Sequence, residues 1–277
     1  MQSIINIDHL TCQYSDQIVL KDISLQIPNN KWITIVGKNG SGKSTLVKAI
    51  DGLIDIKSGN IVVNGYSLKN DLSFVRNSIG IMFQNPDSQF VGATVADDIA
   101  FGLENKQYSQ LKMDEVIDKV LDVVNMNKYK NTAPNLLSGG QKQRVALAGI
   151  IAMGSPVIIL DEATSMIDPN GRKIILNILK KLIKQGKTVI SVTHDSEEIA
   201  KSDYVIGLDN KNVIYHGSPS LLFENLELLD KLSLGKPLSL RILDGLKSAK
   251  LLDKKDNYAY LDDEKVMQLI WKLYLKM

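Results

Sequence analysis

One glycine-rich run of the chain matches the phosphate-binding pattern G-x-x-x-x-G-K-[ST]: Gly37-Lys38-Asn39-Gly40-Ser41-Gly42-Lys43-Ser44-Thr45. It follows the apolar residues 31–36, which predict a strand, and it precedes residues 46–50, which have helical spacing. A loop in this setting binds phosphate because its backbone N–H groups and the helix N-terminus attract an anion. The pattern places Lys43 to reach β- and γ-phosphates and Ser44 to bind Mg²⁺.

Composition limits the class of protein. The 277 residues suffice for one large domain or for a main domain with a small one, and 44% hydrophobic residues can fill a core. The net charge of +2 does not require a nucleic-acid partner. The single cysteine, Cys12, excludes an intrachain disulfide and is expected to be a small apolar residue of a strand. No apolar run reaches the ~18–20 residues of a membrane span, so we expect a soluble chain that reaches membranes only through a partner.

The segments around the glycine-rich run alternate apolar and polar residues, as half-buried strands do. Residues 4–10 and 18–27 predict two antiparallel strands, and residues 60–64 predict another. Tyr14 lies in a polar turn between the first two. A tyrosine there is usually a surface residue, but its place shortly before the glycine-rich run suits stacking on a nucleotide base.

Polar groups suited to phosphate chemistry follow two later predicted strands. Gln84 follows the strand 78–83, and its amide can reach a metal or a water near a γ-phosphate. Asp161 and Glu162 follow the apolar run 157–160, which is typical of a buried parallel strand. Ligands bind at the carboxyl ends of such strands. We therefore interpret Asp161 as a Mg²⁺ ligand and Glu162 as the base that orients and deprotonates the attacking water.

A second glycine motif, Leu137-Ser138-Gly139-Gly140-Gln141, directly precedes the helical run 142–152. A Ser-Gly-Gly turn at a helix N-terminus can bind an anion, although serine is also an ordinary helix cap. Further along, the buried strand 188–192 leads into His194, which can face a γ-phosphate if that strand neighbours the acidic one. The other predicted elements are three helices and two strands at 95–101, 112–125, 170–184, 203–208 and 212–216.

Taken together, these motifs resemble an ATP-binding cassette (ABC) ATPase in order and approximate spacing. The motifs are Tyr14, Gly37–Thr45, Gln84, Leu137–Gln141, Val157–Glu162 and His194. The resemblance covers about residues 3–218. It implies an α/β fold: a P-loop core with a parallel sheet, an N-terminal antiparallel sheet, and a helical subdomain near 86–156. Ile167 departs conservatively from the leucine usual in the family.

The resemblance also implies ATP and Mg²⁺ as cofactors and a site shared by two head-to-tail chains. The implied nucleotide-binding residues are Tyr14, Gly37, Lys38, Asn39, Gly40, Ser41, Gly42, Lys43, Ser44, Thr45, Ser138, Gly139, Gly140, Gln141 and Asp168. The implied catalytic residues are Gln84, Glu162 and His194, and the implied metal ligands are Ser44, Gln84 and Asp161. Ser138 and Gly140 of one chain would complete the site of the other, with Asp168 at the seam.

Residues 85–95 and 97–105 are similar to the first ATPase subunit of energy-coupling factor (ECF) transporters, which take up vitamins and related micronutrients. Cobalt and nickel ATPases carry close variants. The similarity implies three partners: a second ABC ATPase, identical or related, a transmembrane coupling subunit and a substrate-binding membrane subunit. It also implies a peripheral position on the cytoplasmic face of the cell membrane. Phe90 is expected in a loop that docks on the transmembrane partner, or alternatively in the core of the helical subdomain.

Residues 219–277 differ in character from the rest and form a C-terminal extension. Leucines at 226, 229 and 232 predict one helix, and apolar residues at 266, 269, 270 and 273 predict another, with Asp262 or Asp263 as its N-cap. A segment this short rarely has its own core. We therefore expect its apolar faces to pack on the main domain or on a second subunit. The extension would then serve in dimerisation or, alternatively, would only cap the main domain.

Several functions remain possible at this point. Besides an ECF importer, the chain suits a cobalt, nickel or ordinary ABC transporter. A soluble ABC ATPase that acts on nucleic acid or ribosomes usually has two cassettes or a coiled-coil insertion, and this chain has neither. A nucleotide-binding module without hydrolysis is disfavoured by Glu162 and His194.

Overall fold

Two sheets organise the computed structural model, which describes residues 2–85, 89–164, 167–252 and 263–275. The strands are β1 (Ser3–Tyr14), β2 (Gln17–Pro28), β3 (Trp32–Gly37), β4 (Ile56–Val63), β5 (Tyr66–Ser67), β6 (Ile79–Met82), β7 (Val157–Asp161), β8 (Thr188–Val192), β9 (Tyr204–Asp209) and β10 (Asn212–Gly217). The helices are α1 (Lys43–Ile50), α2 (Leu72–Ser78), α3 (Val95–Asn105), α4 (Gln110–Val123), α5 (Gly139–Met153), α6 (Pro169–Lys184), α7 (Ser196–Lys201), α8 (Pro219–Glu224), α9 (Leu226–Leu232), α10 (Leu238–Ser248) and α11 (Asp263–Tyr274).

The larger sheet has the order β10-β9-β3-β8-β7-β6, and all its strands run parallel except β10 at one edge. Every residue of β3, β7 and β8 is buried, as expected for strands covered on both faces. The smaller sheet is antiparallel, with the order β2-β1-β4-β5. This architecture confirms the predicted α/β fold with an N-terminal antiparallel sheet. It brings the carboxyl ends of β3, β8, β7 and β6 to one edge.

Hydrophobic clusters cover both faces of the larger sheet. Ile33 and Ile35 of β3 pack in the cluster that contains Leu46 of α1, whereas Trp32 belongs to the cluster formed with α3–α6. Burying each such side chain contributes roughly 1.5–3 kcal/mol. Cys12 is fully buried in β1, as predicted, and burial raises the pKa of its thiol to about 11.

Helices α3, α4 and α5 pack together beside the sheet and form a helical region, while the limits of the subdomain near 86–156 stay a prediction. Phe90, in the loop before α3, is half-buried and packs against this cluster, whereas Val91 is 66% exposed. The ring of Phe90 therefore contributes to the core of the helical region, while docking of this loop on a transmembrane partner stays a prediction. Residues 86–88 of the same loop lie outside the described part of the chain.

The C-terminal extension packs on the main domain. Leu222 and Leu232 of α8 and α9 are fully buried in a cluster with Val36 of β3. In α11, Val266 is 2% exposed. Large side chains on the other side of α11 face solvent, namely Met267, Trp271 and Tyr274. The predicted caps, Asp262 and Asp263, lie outside the described side chains, and the division of the chain at residue 218 stays a prediction.

Four helices of the structure, α2, α7, α8 and α10, were not expected from the sequence. Helix α2 has only seven residues, too few for a periodic apolar pattern to indicate a helix. Helix α10 begins directly after Pro237, which is its N-cap residue. Among the described residues, no helix combines the length and apolar character needed to cross a membrane.

Candidate nucleotide-binding site

The loop between β3 and α1 has a backbone that requires glycine at two positions. Gly37 and Gly42 have φ angles of 147° and 104°, which other residues rarely adopt. A Cβ atom on Gly37 would lie 2.1 Å from the carbonyl oxygen of Leu208 in β9. One on Gly42 would lie 2.6 Å from Leu20 Cδ2 in β2. The loop is therefore held tightly between neighbouring strands.

The N-terminus of α1 carries a positive charge and lacks a side-chain cap. Its N-cap residue is Gly42, so no side chain satisfies the first N–H groups of the helix. The ammonium group of the buried Lys43 folds back over the loop. It donates hydrogen bonds to the carbonyl oxygens of Gly37 (2.8 Å) and Lys38 (3.0 Å). An open helix N-terminus beside a cation attracts anions.

Two further observations fit a phosphate group at this loop. Burial lowers the pKa of Lys43, and the carboxylates of Glu162 and Asp161 oppose that shift, so the cation lies in a confined and partly acidic setting. The Ser41 hydroxyl is buried without a hydrogen-bond partner among the described residues. A buried hydroxyl seldom remains unpaired, and a phosphate oxygen would supply the partner.

Oxygen ligands stand next to the loop. Asp161 ends β7 and is 7% exposed, and Ser44 Oγ donates a hydrogen bond to its Oδ1 at 3.2 Å. Burial raises the pKa of Asp161, while the hydrogen bond from Ser44 lowers it. A hydroxyl beside a carboxylate fits Mg²⁺, which takes few protein oxygens and keeps several waters.

Glu162 connects three strand ends. Its backbone N–H donates to the carbonyl oxygen of Val192 at the end of β8 (3.1 Å). Gln84 Nε2 donates to Glu162 Oε2 (3.2 Å), and His194 Nε2 lies 3.7 Å from Glu162 Oε1. The φ angle of Glu162 is 53°, a left-handed conformation that costs about 1–2 kcal/mol for a non-glycine residue. Strain of this kind concentrates at functional sites, where the surrounding structure maintains it.

The surroundings of His194 favour the neutral form of its imidazole. Burial lowers its pKa, the positive charge of Lys43 lowers it further, and Glu162 raises it. A neutral imidazole has one nitrogen that donates a hydrogen bond and one that accepts. His194 can therefore interact both with Glu162 and with a ligand.

The second glycine motif forms the N-terminus of α5 and satisfies its own cap. Ser138 Oγ accepts from the N–H of Gln141 (3.4 Å), and Gln141 Oε1 accepts from the N–H of Ser138 (2.8 Å). Gln141 Nε2 also donates to Tyr129 Oη (2.8 Å). Gly139 has open space where a side chain would lie. Across the described residues, no hydrogen bond or ion pair joins this motif to the loop at 37–45 of the same chain.

Asp168 lies beside the second motif. Its Oδ1 accepts hydrogen bonds from the N–H groups of Asn170 and Gly171, each at 3.0 Å, and so caps α6. A Cβ atom on Gly140 would lie 3.6 Å from Asp168 Oδ2. Tyr14 is 45% exposed at the end of β1. The remaining nucleotide-binding residues expected from the sequence differ in exposure. Thr45 is buried, whereas the tip of the loop is exposed and consists of Lys38, Asn39 and Gly40.

The structure thus gathers one set of predicted residues and leaves another apart. The gathered set is Lys43, Ser44, Gln84, Asp161, Glu162 and His194. Our sequence reasoning missed a group behind Glu162 and His194 that consists of Thr164, Arg172, Asp195 and Glu198. Only the position of Asp195 directly after His194 could have pointed to it, because charged residues on short helices are usually solvated.

Comparisons with known proteins agree with this geometry. Residues 20–165 match the family model described as ABC transporter. The energy-coupling factor transporter ATP-binding protein EcfA1 of Lactobacillus delbrueckii subsp. bulgaricus is 43% identical over 284 residues, with 99% of each chain covered. The protein of the same name from Streptococcus agalactiae is 44% identical over 282 residues, with 100% of each chain covered.

A solved structure has the same fold. It is cbiO1 from Clostridium perfringens, described as part of the ABC transporter complex cbiONQ. The TM-score is 0.77 at 32% identity, and the match covers 90% of this chain and 100% of that chain. These matches confirm both resemblances drawn from the sequence. The chain therefore belongs to the ABC transporter family and, within it, to the ATP-binding proteins of energy-coupling factor transporters.

Proposed function

We propose that this chain is the ATP-hydrolysing motor subunit of an ECF-type importer for vitamins or related micronutrients. The observation that carries the proposal is the position of Glu162, whose carboxylate lies between Gln84 and His194 and next to Asp161. A general base needs a fixed carboxylate within reach of one water molecule. The names of the 41–46% identical relatives support the transporter class.

Each residue of the site has a distinct role in this proposal. Lys43 and the N–H groups of the loop bind the β- and γ-phosphates of ATP, and Ser44 and Asp161 hold Mg²⁺. Mg²⁺ held by these residues would neutralise charge on the phosphates. Glu162 orients the attacking water and accepts its proton, while Gln84 and His194 keep the carboxylate in place and contact the γ-phosphate region.

A second ATPase chain completes the site. The support is the outward position of Ser138 and Gly139 at the N-terminus of α5, with Asp168 at their side. We propose that Ser138 and Gly140 bind the phosphates held by the partner, which is an identical copy or a related chain, and that Asp168 lies at the seam. The extension 219–277 contributes to dimerisation, and residues 1–218 form the nucleotide-binding domain with its helical subdomain near 86–156.

Coupling to the membrane runs through the loop after Gln84. The exposed Val91 and a cavity of about 350 Å³ suit an inserted helix of a transmembrane coupling subunit. The cavity is lined by Phe90, Gly92, Ala93, Ala133, Pro134 and Asn135. A substrate-binding membrane subunit completes the complex, which places this chain on the cytoplasmic face of the cell membrane, without a nucleic-acid partner.

The substitution Glu162→Gln in the assembled complex tests hydrolysis. It keeps the shape of the side chain and removes its basicity, so the hydrolysis rate should fall by roughly 10²–10⁴-fold while ATP still binds. The matched control is Glu104→Gln on the exposed side of α3, which should hydrolyse ATP at the wild-type rate. Normal hydrolysis by Glu162→Gln would overturn the assignment of the base.

A second candidate is the ATPase of another ABC transporter, including a cobalt or nickel transporter. The structural similarity to cbiO1, which is part of the ABC transporter complex cbiONQ, supports this second candidate. The two candidates are distinguished by deleting the gene for this chain and measuring the uptake of radiolabelled vitamins and of cobalt and nickel ions by the cells. Loss of vitamin uptake alone supports the first proposal, and loss of metal uptake alone supports the second.

A further inference from the structure

Behind Glu162 and His194 lies a polar cluster that the proposed hydrolysis does not use. Glu198 Oε2 accepts hydrogen bonds from Thr164 Oγ1 (3.0 Å) and Thr193 Oγ1 (3.2 Å). Thr164 follows Glu162 by two positions, and Thr193 directly precedes His194. One carboxylate that is only 1% exposed therefore holds the segments that carry both residues.

Arg172 joins the cluster from α6. Its Nη1 donates to Asp195 Oδ2 (2.7 Å), and its Nη2 lies 2.6 Å from Asp195 Oδ1 and 3.6 Å from Glu198 Oε2. A two-pronged contact of this kind fixes orientation as well as distance. The backbone N–H of Arg172 donates to the carbonyl oxygen of Asp168 (2.9 Å). The first turn of α6 is thereby connected to the same carboxylates.

Local hydrogen bonds close the cluster. Asp195 Oδ1 accepts from the N–H of Glu198 (2.8 Å), and Thr193 Oγ1 accepts from the N–H of Asp195 (3.1 Å). Arg172 Nε lacks a hydrogen-bond partner among the described residues, whereas the groups around the buried Glu198 are paired. These paired groups resist displacement, because every shift breaks bonds in a medium of low dielectric constant. Motion at the start of α6 must therefore displace the ends of β7 and β8 as well.

We propose that Glu198 and Arg172 are positioning residues, which hold Glu162, His194 and Asp168 in one fixed arrangement. Both act through Glu162, His194 and Asp168, to which the cluster connects them. The inference rests on the proposed function, since it needs hydrolysis at Glu162 and a second ATPase near Asp168. Contact with that partner would then reach the hydrolytic groups through Arg172.

The test uses the full chain assembled with its partners and Mg-ATP. Glu198→Gln keeps the shape and leaves Arg172 paired with Asp195, so the chain should fold with a similar Tm. The kcat should fall about 10- to 100-fold, the effect of moving a reacting group by about 1 Å, with little change in KM. Arg172→Gln should lower kcat similarly, and Arg172→Lys, which keeps the charge without the two-pronged contact, should recover only part of the rate.

A double variant separates positioning from simple stabilisation. In the Glu162→Gln background, Glu198→Gln should lower kcat far less than in the wild type, because the base through which Glu198 acts is already gone. Two effects that multiply in full would overturn the proposal, as would a lowered Tm with unchanged kcat. The control is Glu115→Gln, which removes an exposed ion pair with Lys112 on α4 and should leave kcat and KM unchanged.

The outcomes also separate this inference from the proposed function. Hydrolysis that does not depend on Glu162 would overturn both the proposed role of Glu162 and the positioning role of Glu198 and Arg172. Hydrolysis that depends on Glu162 but keeps its rate in Glu198→Gln and Arg172→Gln would remove only the positioning role.

Discussion

The helices α1 and α5 both begin at a glycine-rich motif, yet their N-termini differ in how they are satisfied. In α1 the N-cap is Gly42, no side chain caps the helix, and the buried Lys43 lies over the loop. In α5, Ser138 and Gln141 cap the helix reciprocally, and Gly139 faces open space. The N-terminus of α1 therefore has uncapped N–H groups available for a ligand of the same chain. The N-terminus of α5 is already capped and is exposed at the surface.

This difference explains why one chain would contain only half of a working site. Gln84, Asp161, Glu162 and His194 meet at the first N-terminus, because they follow neighbouring strands of the same sheet. Across the described residues, no hydrogen bond or ion pair joins the second N-terminus to them. We propose that two chains together form a site that uses both N-termini, and this is the basis of the mixed-dimer test.

The largest expected effect comes from separating the two N-termini between subunits. A mixed dimer with Lys43→Ala in one subunit and Ser138→Arg in the other puts both lesions in one composite site, so about half of the hydrolysis should remain. Both lesions in the same subunit damage both sites and should abolish most of it. The measurement is the ATPase rate of dimers purified through two different tags.

Equal rates from the two arrangements would contradict sites shared between chains. Single lesions in both subunits give the control for full inactivation. If the natural partner is a related chain, the matching lesions are placed across the two different ATPases.

The next largest effect concerns the burial of Asp51 at the C-terminus of α1. Asp51 follows α1, is 7% exposed, and has a pKa raised by burial to about 6, against the weaker opposing charge of Arg76. Because the folded chain binds this proton more tightly than the unfolded chain, Asp51 lowers stability as the pH rises from about 4 to 6. Asp51→Asn should raise the free energy of unfolding by about 1–3 kcal/mol at pH 7.5.

The gain from Asp51→Asn should vanish below about pH 4, where both states bind the proton. Urea denaturation across this pH range measures it. Asp114→Asn on the exposed side of α4 is the matched control and should change stability by no more than about 0.5 kcal/mol. A gain that does not depend on pH would show that Asp51 is not buried as described.

The smallest expected effect concerns the cap of α5. Ser138→Ala removes the hydroxyl that accepts from the N–H of Gln141 and should lower the stability of the lone chain by about 1 kcal/mol. Ser109→Ala is a close control, since Ser109 is the N-cap residue of α4 but makes no side-chain cap hydrogen bond. Thermal unfolding of both variants measures the difference, and equal losses would indicate that the cap of α5 is weak.

The sequence by itself determined the features that depend on a few adjacent residues. The positive φ angles of Gly37 and Gly42 follow from a loop that only glycine can form. The cap of α5 follows from a serine and a glutamine three positions apart. The buried strands β7 and β8 are short, continuous apolar runs, and parallel strands covered on both faces have that composition.

Only the tertiary structure decided which of these features meet. Gln84 and Glu162 are 78 residues apart, and Ser44 and Asp161 are 117 apart, so their contacts depend on the order of strands in the sheet. The same holds for Arg172, which pairs with Asp195 and Glu198 only because α6 and α7 lie beside each other. Local propensity and periodicity describe a few turns of chain, whereas packing of the whole core selects the strand order and hence these contacts.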